Sequence, residues 1–434
     1  MVKKKSKPHL SRKTFLLLSL SALFLLAVIL IFCRGNQDIE QYLQKLPQAE
    51  WQRGTIELTF RQPIDHKHPS GPKFNQRVVI NHIGNDRPVV VLLEGYNLHS
   101  KKRCELAELL NANQIIIEHR FFAESRPDSI NWKHLNIWQA ATDHHKIINS
   151  LKDLYRGKWV TTGVSKGGMA TMFHRRFYSK DVDASVAYVA PLNLTDLNKR
   201  LRDFFEQVGT PEIRAKIRWF QKHLLANKKD FLPLFENYAI EHGYKFSMGM
   251  KRAYEMTVLA YPFVFWQYGR VPASNIPGKM GSLEEKFHHL VSVSPVNRLE
   301  EKSQEEMRPF FYQCITQIGA FEYPANHLKQ YLSDTTALPF DSNLWEHEHI
   351  TYDTTAMRDI HDWLKKHGDQ MMYLYGEQDP WTAMAFAPSE KTDAVKFLNP
   401  EGSHRTDIKS FPLGMQDSII SVLERWLEME IETP

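Results

Sequence analysis

A chain of 434 residues, 42% hydrophobic and 12% aromatic, can bury a large core and is too long for one ordinary compact domain. Its formal charge of +5 originates at the start of the chain, where Lys3, Lys4, Lys5, Lys7, Arg12, Lys13 and Arg34 stand without an acid; removing those seven leaves the body at −2. A basic nucleic-acid-binding surface is thus unsupported, and no nucleic-acid partner is expected.

The basic head "KKKSKPHLSRK" runs into 18 apolar or small residues from Phe15 to Phe32, the layout of a signal peptide or signal anchor over residues 1–35. Lysines on the cytoplasmic flank predict a body outside the inner membrane, tethered, in the periplasm or secreted. "LIFC", ending at Cys33, resembles a lipoprotein cleavage box, but Phe32 stands where a small residue is wanted. An uncleaved anchor is the leading expectation, with a polar linker over residues 36–50.

From Trp51 the texture is that of strands. "GTIELTFRQPI" and "QRVVINHI" alternate around the turn-rich "HKHPSGPKFN", as an antiparallel pair would. The continuous apolar runs "RPVVVLLEG" and "NQIIIEHRFF", separated by the helix-compatible "KKRCELAELLNA", suit strands covered on both faces. "NIWQAATDHHKIINSLKDLY" reads as a helix, "KWVTTGVS" as a strand, "KGGMATMFHRRFY" as a helix and "ASVAYVAPLN" as a strand. This rhythm predicts a doubly wound, mostly parallel α/β sheet whose first part spans 51–194.

Residues 195–368 carry amphipathic, aromatic-rich segments without comparable β runs and predict a helical cap over the sheet's carboxyl edge. Strands resume with "QMMYLYGEQDP" and "DAVKFLNPEGSH", and a closing helix completes the second part of the core at 369–434.

Gly163, Ser165 and Gly167 form G-x-S-x-G where a strand enters and a helix leaves, the context of a nucleophile elbow. A glycine-rich helix start would look the same, so partners decide between the two. A serine hydroxyl needs a base, and the base needs a carboxylate to fix its tautomer. Asp379 and His404 follow successive strands in polar loops, in the order Ser, Asp, His and at the edge where open α/β sheets bind ligands. Two backbone N–H groups should hold the oxyanion, those of Lys166 and of Tyr96 in the loop after "VVVLLEG". The histidines in "HKH" (66–68), "HH" (144–145) and "HEH" (347–349) lack metal-site spacing. No phosphate loop or dinucleotide fingerprint occurs either, so neither metal nor cofactor is expected.

"EGYN", "EHRFFAESRP", "TGVSKGGM", "VAPLN", "YGEQDPW" and "GSH" resemble, in order and spacing, the secreted bacterial tripeptidyl aminopeptidase family of serine peptidases, itself similar to the prolyl carboxypeptidase and dipeptidyl-peptidase group. The resemblance runs from about Trp51 to the end, and Lys166 within the elbow is its most specific element. It implies an α/β-hydrolase fold with a helical cap, Ser165 as nucleophile, Asp379 as orienting acid, His404 as base, and release of short peptides from free amino termini. The anchor-like leader departs from the family's cleavable signals.

An aminopeptidase must recognise an α-ammonium, for which a desolvated carboxylate is the natural acceptor; Glu94, Glu118 and Glu322 are candidates, with a structural salt bridge, for example to Arg120, as the alternative for each. An oxidising compartment permits Cys104 and Cys314 to pair; two buried thiols are the alternative. The rival functions are a lipase or esterase on the same scaffold, and a catalytically inactive, membrane-tethered binding protein.

Overall fold

The computed structural model describes residues 50–432 except 53, 342–344 and 346–349. The expected leader and the "HEH" histidines lie outside the described residues. Among those described, nine strands make one sheet: β1 (Glu50–Gln52), β2 (Thr55–Pro63), β3 (Lys73–Asn81), β4 (Val89–Leu93), β5 (Asn113–Ile117), β6 (Trp159–Val164), β7 (Ala184–Tyr188), β8 (Met371–Gly376) and β9 (Ala394–Asn399). Their order across the sheet is β1-β2-β3-β5-β4-β6-β7-β8-β9. The expected hairpin is β2 with β3, in register from Thr55 opposite Asn81 to Pro63 opposite Lys73. From β5 to β9 every pairing is parallel.

Burial explains the sequence pattern. All residues of β5, β7 and β8 are buried, as are four of the five in β4, because helices cover both faces and leave no position for a polar side chain to reach water. The edge strand β9 is mostly half-exposed and carries Lys396. On one face lie α1 (Glu105–Leu109) and the C-terminal helix (Leu413–Leu427), whose Leu106, Ile419 and Leu423 pack on Val90, Val160 and Val186. On the other face lie α2 (Ile137–Leu151) and α3 (Lys166–Phe177), with Ile147 and Ile148 against Val89, Val91 and Ile115. Asn136 starts α2 by accepting a hydrogen bond from the Gln139 N–H at 3.0 Å. The fold is that of an α/β hydrolase.

Between β7 and β8 the chain forms α4 (Leu197–Gln207), α5 (Pro211–Ala226), α6 (Lys228–His242), α7 (Met250–Tyr268), α8 (Leu283–Val293), α9 (Glu301–Gln313) and α10 (Ala356–His367). Helices α5 to α8 share a core of their own around Phe220, Phe235, Tyr254, Tyr261 and Leu290. The last helix of the stretch expected as cap packs elsewhere: Met357, Ile360 and Leu364 of α10 lie on the sheet side with Met172, Phe173 and Tyr373. The C-terminal helix follows as α11.

Cys104 and Cys314 are both free thiols. The pairing considered from sequence does not occur because they lie on opposite faces of the sheet. Cys104 packs with the α1 and α11 cluster, and Cys314 with the cluster of α3 and α10.

Candidate active site

The sheet's topology creates the crevice. The chain leaves β4 for β5 on one side and leaves β6 for β7 on the other, so the adjacent carboxyl ends of β4 and β6 form a switch point where loops part. Tyr96 follows β4 and Ser165 follows β6.

Ser165 has φ 58° and ψ −121°, a conformation that L residues avoid unless the surroundings impose it. The imposition comes from backbone packed on backbone. A Cβ on Gly163 would sit 2.3 Å from the carbonyl carbon of Gly167, so only glycine lets β6 and α3 turn this tightly. The Ser165 N–H donates to the Tyr188 carbonyl at 2.8 Å, tying the elbow to β7.

Asp379 is fully buried and uses its two oxygens differently. Oδ1 accepts the Trp381 N–H at 3.1 Å and so caps the short helical turn Pro380–Met384, while Oδ2 is 2.6 Å from His404 Nδ1. One carboxylate thus both caps the turn and contacts the imidazole. With Nδ1 held by the carboxylate, Nε2 of His404 is left as the ring nitrogen that accepts a proton. A second restraint on His404 comes from α7: the Gln267 carbonyl accepts the His404 N–H at 2.8 Å, and the Tyr268 ring stands edge-on to the imidazole at 6.3 Å. Arg298 in turn donates to the Tyr268 hydroxyl at 2.8 Å. No sequence pattern marks Gln267, Tyr268 or Arg298, because the first two reach the site only through the packing of α7 and Arg298 only through its bond to Tyr268.

For the oxyanion, the Lys166 N–H opens α3 and so has no acceptor within its own helix. The Tyr96 N–H has no acceptor among the described residues. The loop after β4 lies directly on the elbow, since a Cβ on Gly95 would stand 2.6 Å from Gly167 N.

The three candidate acids have different fates. Glu118 is fully buried and structural: its carboxylate accepts the Leu98 N–H at 2.9 Å and both the Ser125 N–H (3.0 Å) and hydroxyl (2.7 Å). Burial raises its pKa despite these donors. Glu322 is exposed, on the segment whose Phe321 packs on Trp381. Glu94 is half-buried, its carboxylate has no hydrogen-bond partner among the described residues, and it directly precedes Gly95. Burial, aided by the nearby charge of Glu118, pushes its pKa up to about 7.

Arg120 pairs with none of these acids. Its buried guanidinium donates from Nε to Asp143 Oδ2 at 2.6 Å and from Nη2 to Asp143 Oδ1 at 2.8 Å, and His66 Nε2 shares that carboxylate at 2.6 Å. His68 and His145 likewise face Asp65 and Asp181 at 2.8 and 2.7 Å.

Among solved structures, the chain resembles a proline iminopeptidase of Mycobacterium smegmatis at 12% identity and TM-score 0.45, covering 85% of this chain and 99% of that one. A carboxyl esterase of Bacillus coagulans matches at 11% identity and TM-score 0.38, over 87% of this chain and 100% of the other. The prolyl tri/tetrapeptidyl aminopeptidase of Streptomyces mobaraensis is 33% identical over 359 residues, 81% of this chain and 75% of that protein. The family model for PS-10 peptidase S37 matches residues 47–411, and the chain belongs to that family of serine-type peptidases.

Proposed function

We propose that this peptidase is an exported exopeptidase that releases tri- or tetrapeptides from free amino termini through an acyl-enzyme formed on Ser165. The observation that carries the mechanism is the 2.6 Å contact between His404 Nδ1 and buried Asp379, together with a strained serine elbow on the same sheet edge. The product class is suggested by the Streptomyces relative's name, and the export by the apolar leader.

In this reading His404 Nε2 takes the Ser165 hydroxyl proton as Oγ adds to the scissile carbonyl, and the Lys166 and Tyr96 N–H groups receive the oxygen that gains the charge. The carbon–nitrogen bond then breaks, and His404 returns its proton to the departing amine. Water repeats the addition on the ester, again losing its proton to His404, and regenerates Ser165. Asp379 holds the tautomer throughout. Glu94 is the acceptor for the α-ammonium, because it alone of the three acids is both desolvated and unpaired.

A lipase or esterase would share every step except the last recognition. A fluorophosphonate tests the common chemistry: expected is one covalent adduct on the wild type and none on Ser165→Ala. A folded wild-type protein that takes no label would instead support the tethered binding protein.

A further inference from the structure

The side chain at position 166 has no role in the mechanism above, which uses only its backbone N–H. It is 4% exposed, and its Nζ turns back beneath the elbow to donate to the Gly95 carbonyl. Its other close neighbours are the faces of Tyr96 and Phe122, 5.4 and 5.1 Å from Nζ. No carboxylate pairs with it among the described residues, and the Gly95 carbonyl is the acceptor that this buried amine bonds.

A trans peptide is planar, and its C=O and N–H point in opposite directions. The carbonyl of Gly95 belongs to the same peptide unit as the Tyr96 N–H. Whatever anchors the oxygen therefore aims the hydrogen, and that hydrogen has no acceptor among the described residues. Gly95 gives the peptide no steric stop of its own, because it lacks the Cβ that would jam it against Lys166 and Gly167.

We propose that Lys166 is a positioning residue for the oxyanion hole: its Nζ, by gripping the Gly95 carbonyl, holds the Gly95–Tyr96 peptide plane with the Tyr96 N–H facing the developing alkoxide. The residue after the nucleophile thus supplies one oxyanion donor through its backbone and aims the second through its side chain. The inference rests on Ser165 as nucleophile and Tyr96 as donor.

The pocket behind Nζ fits this role. It is lined by His119, His144 and Gln313, and Gln313 Oε1 bonds to nothing there, so it does not draw Nζ away from the Gly95 carbonyl. His119 and His144 are held neutral by burial, His144 down to about 3, and the buried Cys314 thiol is pushed up, so nothing around Nζ repels or neutralises it strongly. Burial brings the amine itself down to about 7. Both its protonation states carry N–H bonds, so the grip on Gly95 survives titration.

The test is a comparison of Lys166→Met, which keeps the unbranched stem but removes the donor, with Lys166→Arg, which keeps a donor in altered geometry. Each is assayed on an unblocked tripeptide amide and with a tripeptidyl trifluoromethyl ketone, whose serine adduct carries the oxyanion. Misaiming one donor is expected to lower kcat about 10- to 100-fold with KM within about twofold, below the loss from deleting such a donor. Ketone affinity should fall in proportion to kcat/KM, and Lys166→Arg should recover part of both. A Met variant that turns over within twofold of wild type, or that loses kcat while ketone affinity stays put, overturns the proposal. Should the Met variant not fold, Lys166→Arg decides alone: parallel losses in kcat and ketone affinity support the role, and a change confined to KM refutes it. Ser165→Ala in the same assay separates the two readings, since residual turnover there would remove the nucleophile and not merely its positioning.

Discussion

Glu94 shows how much a single side chain depends on its surroundings. In the sequence it is one of three equivalent acids; in the fold Glu118 becomes a scaffold for Leu98 and Ser125, Glu322 stays exposed, and Glu94 alone is half-buried with a carboxylate that has no partner among the described residues. No local pattern separates them, because burial and partners are set by which loops meet at the carboxyl ends of β4 and β5. A carboxyl with a pKa near 7 is half-protonated at neutral pH and binds an ammonium less well as pH falls. KM is therefore expected to rise below about pH 7 in the wild type, and Glu94→Gln should show a raised KM without that dependence. The stability effect has the opposite sign. Because the folded pKa lies above the ordinary value of 4.5, the native state binds the proton more tightly than the unfolded chain, and stability falls as pH rises from about 4.5 to 7. At pH 8 Glu94→Gln should then be more stable than wild type, by on the order of 1–3 kcal/mol in a denaturant titration. A destabilised Glu94→Gln with unchanged KM would contradict both expectations.

The elements carrying Ser165, Asp379 and His404 were legible because each residue punctuates a strand whose apolar run is unmistakable. The elbow was legible through its glycines, which mark where backbone meets backbone. Gly163→Ala places a methyl 2.3 Å from the Gly167 backbone, where no side chain can yield, so it should destabilise by about 3 kcal/mol or more and abolish fluorophosphonate labelling. Near-wild-type melting and labelling would show that the elbow is not held by that contact. Less legible was the order of strands: β4 and β5 are consecutive apolar runs, and nothing in either announces that β5 lies outside β4 next to the β3 hairpin. The helix at 356–367 also shares the texture of the cap segments, although its Met357, Ile360 and Leu364 stripe serves the sheet. An amphipathic stripe states that a face is buried but not against what.

At the scale of the whole molecule, the helical region and the sheet meet at the site itself. Phe263 of α7 stacks on Phe321 at 5.0 Å and meets the edge of Trp381 at 5.2 Å, and Trp381 donates to Asp379. The last turn of the same helix carries Gln267, whose carbonyl holds the backbone N–H of His404. Catalytic geometry in this reading is therefore shared between two cores, and damage to their seam should reach the chemistry. Phe263→Ala is expected to cost about 3–5 kcal/mol in unfolding free energy and to lower kcat more than KM. Unfolding and turnover measured on the same preparation check this, and an unchanged kcat would show that the seam does not transmit to Asp379.

The central claim, a serine exopeptidase that reads a free amino terminus, is tested most directly by mass spectrometry of the products from one decapeptide and its amino-terminally acetylated twin. The expected result is sequential loss of tri- or tetrapeptides from the free peptide, no cleavage of the acetylated one, and neither activity in Ser165→Ala. Equal cleavage of both peptides, or a first cut in the interior, would contradict the account.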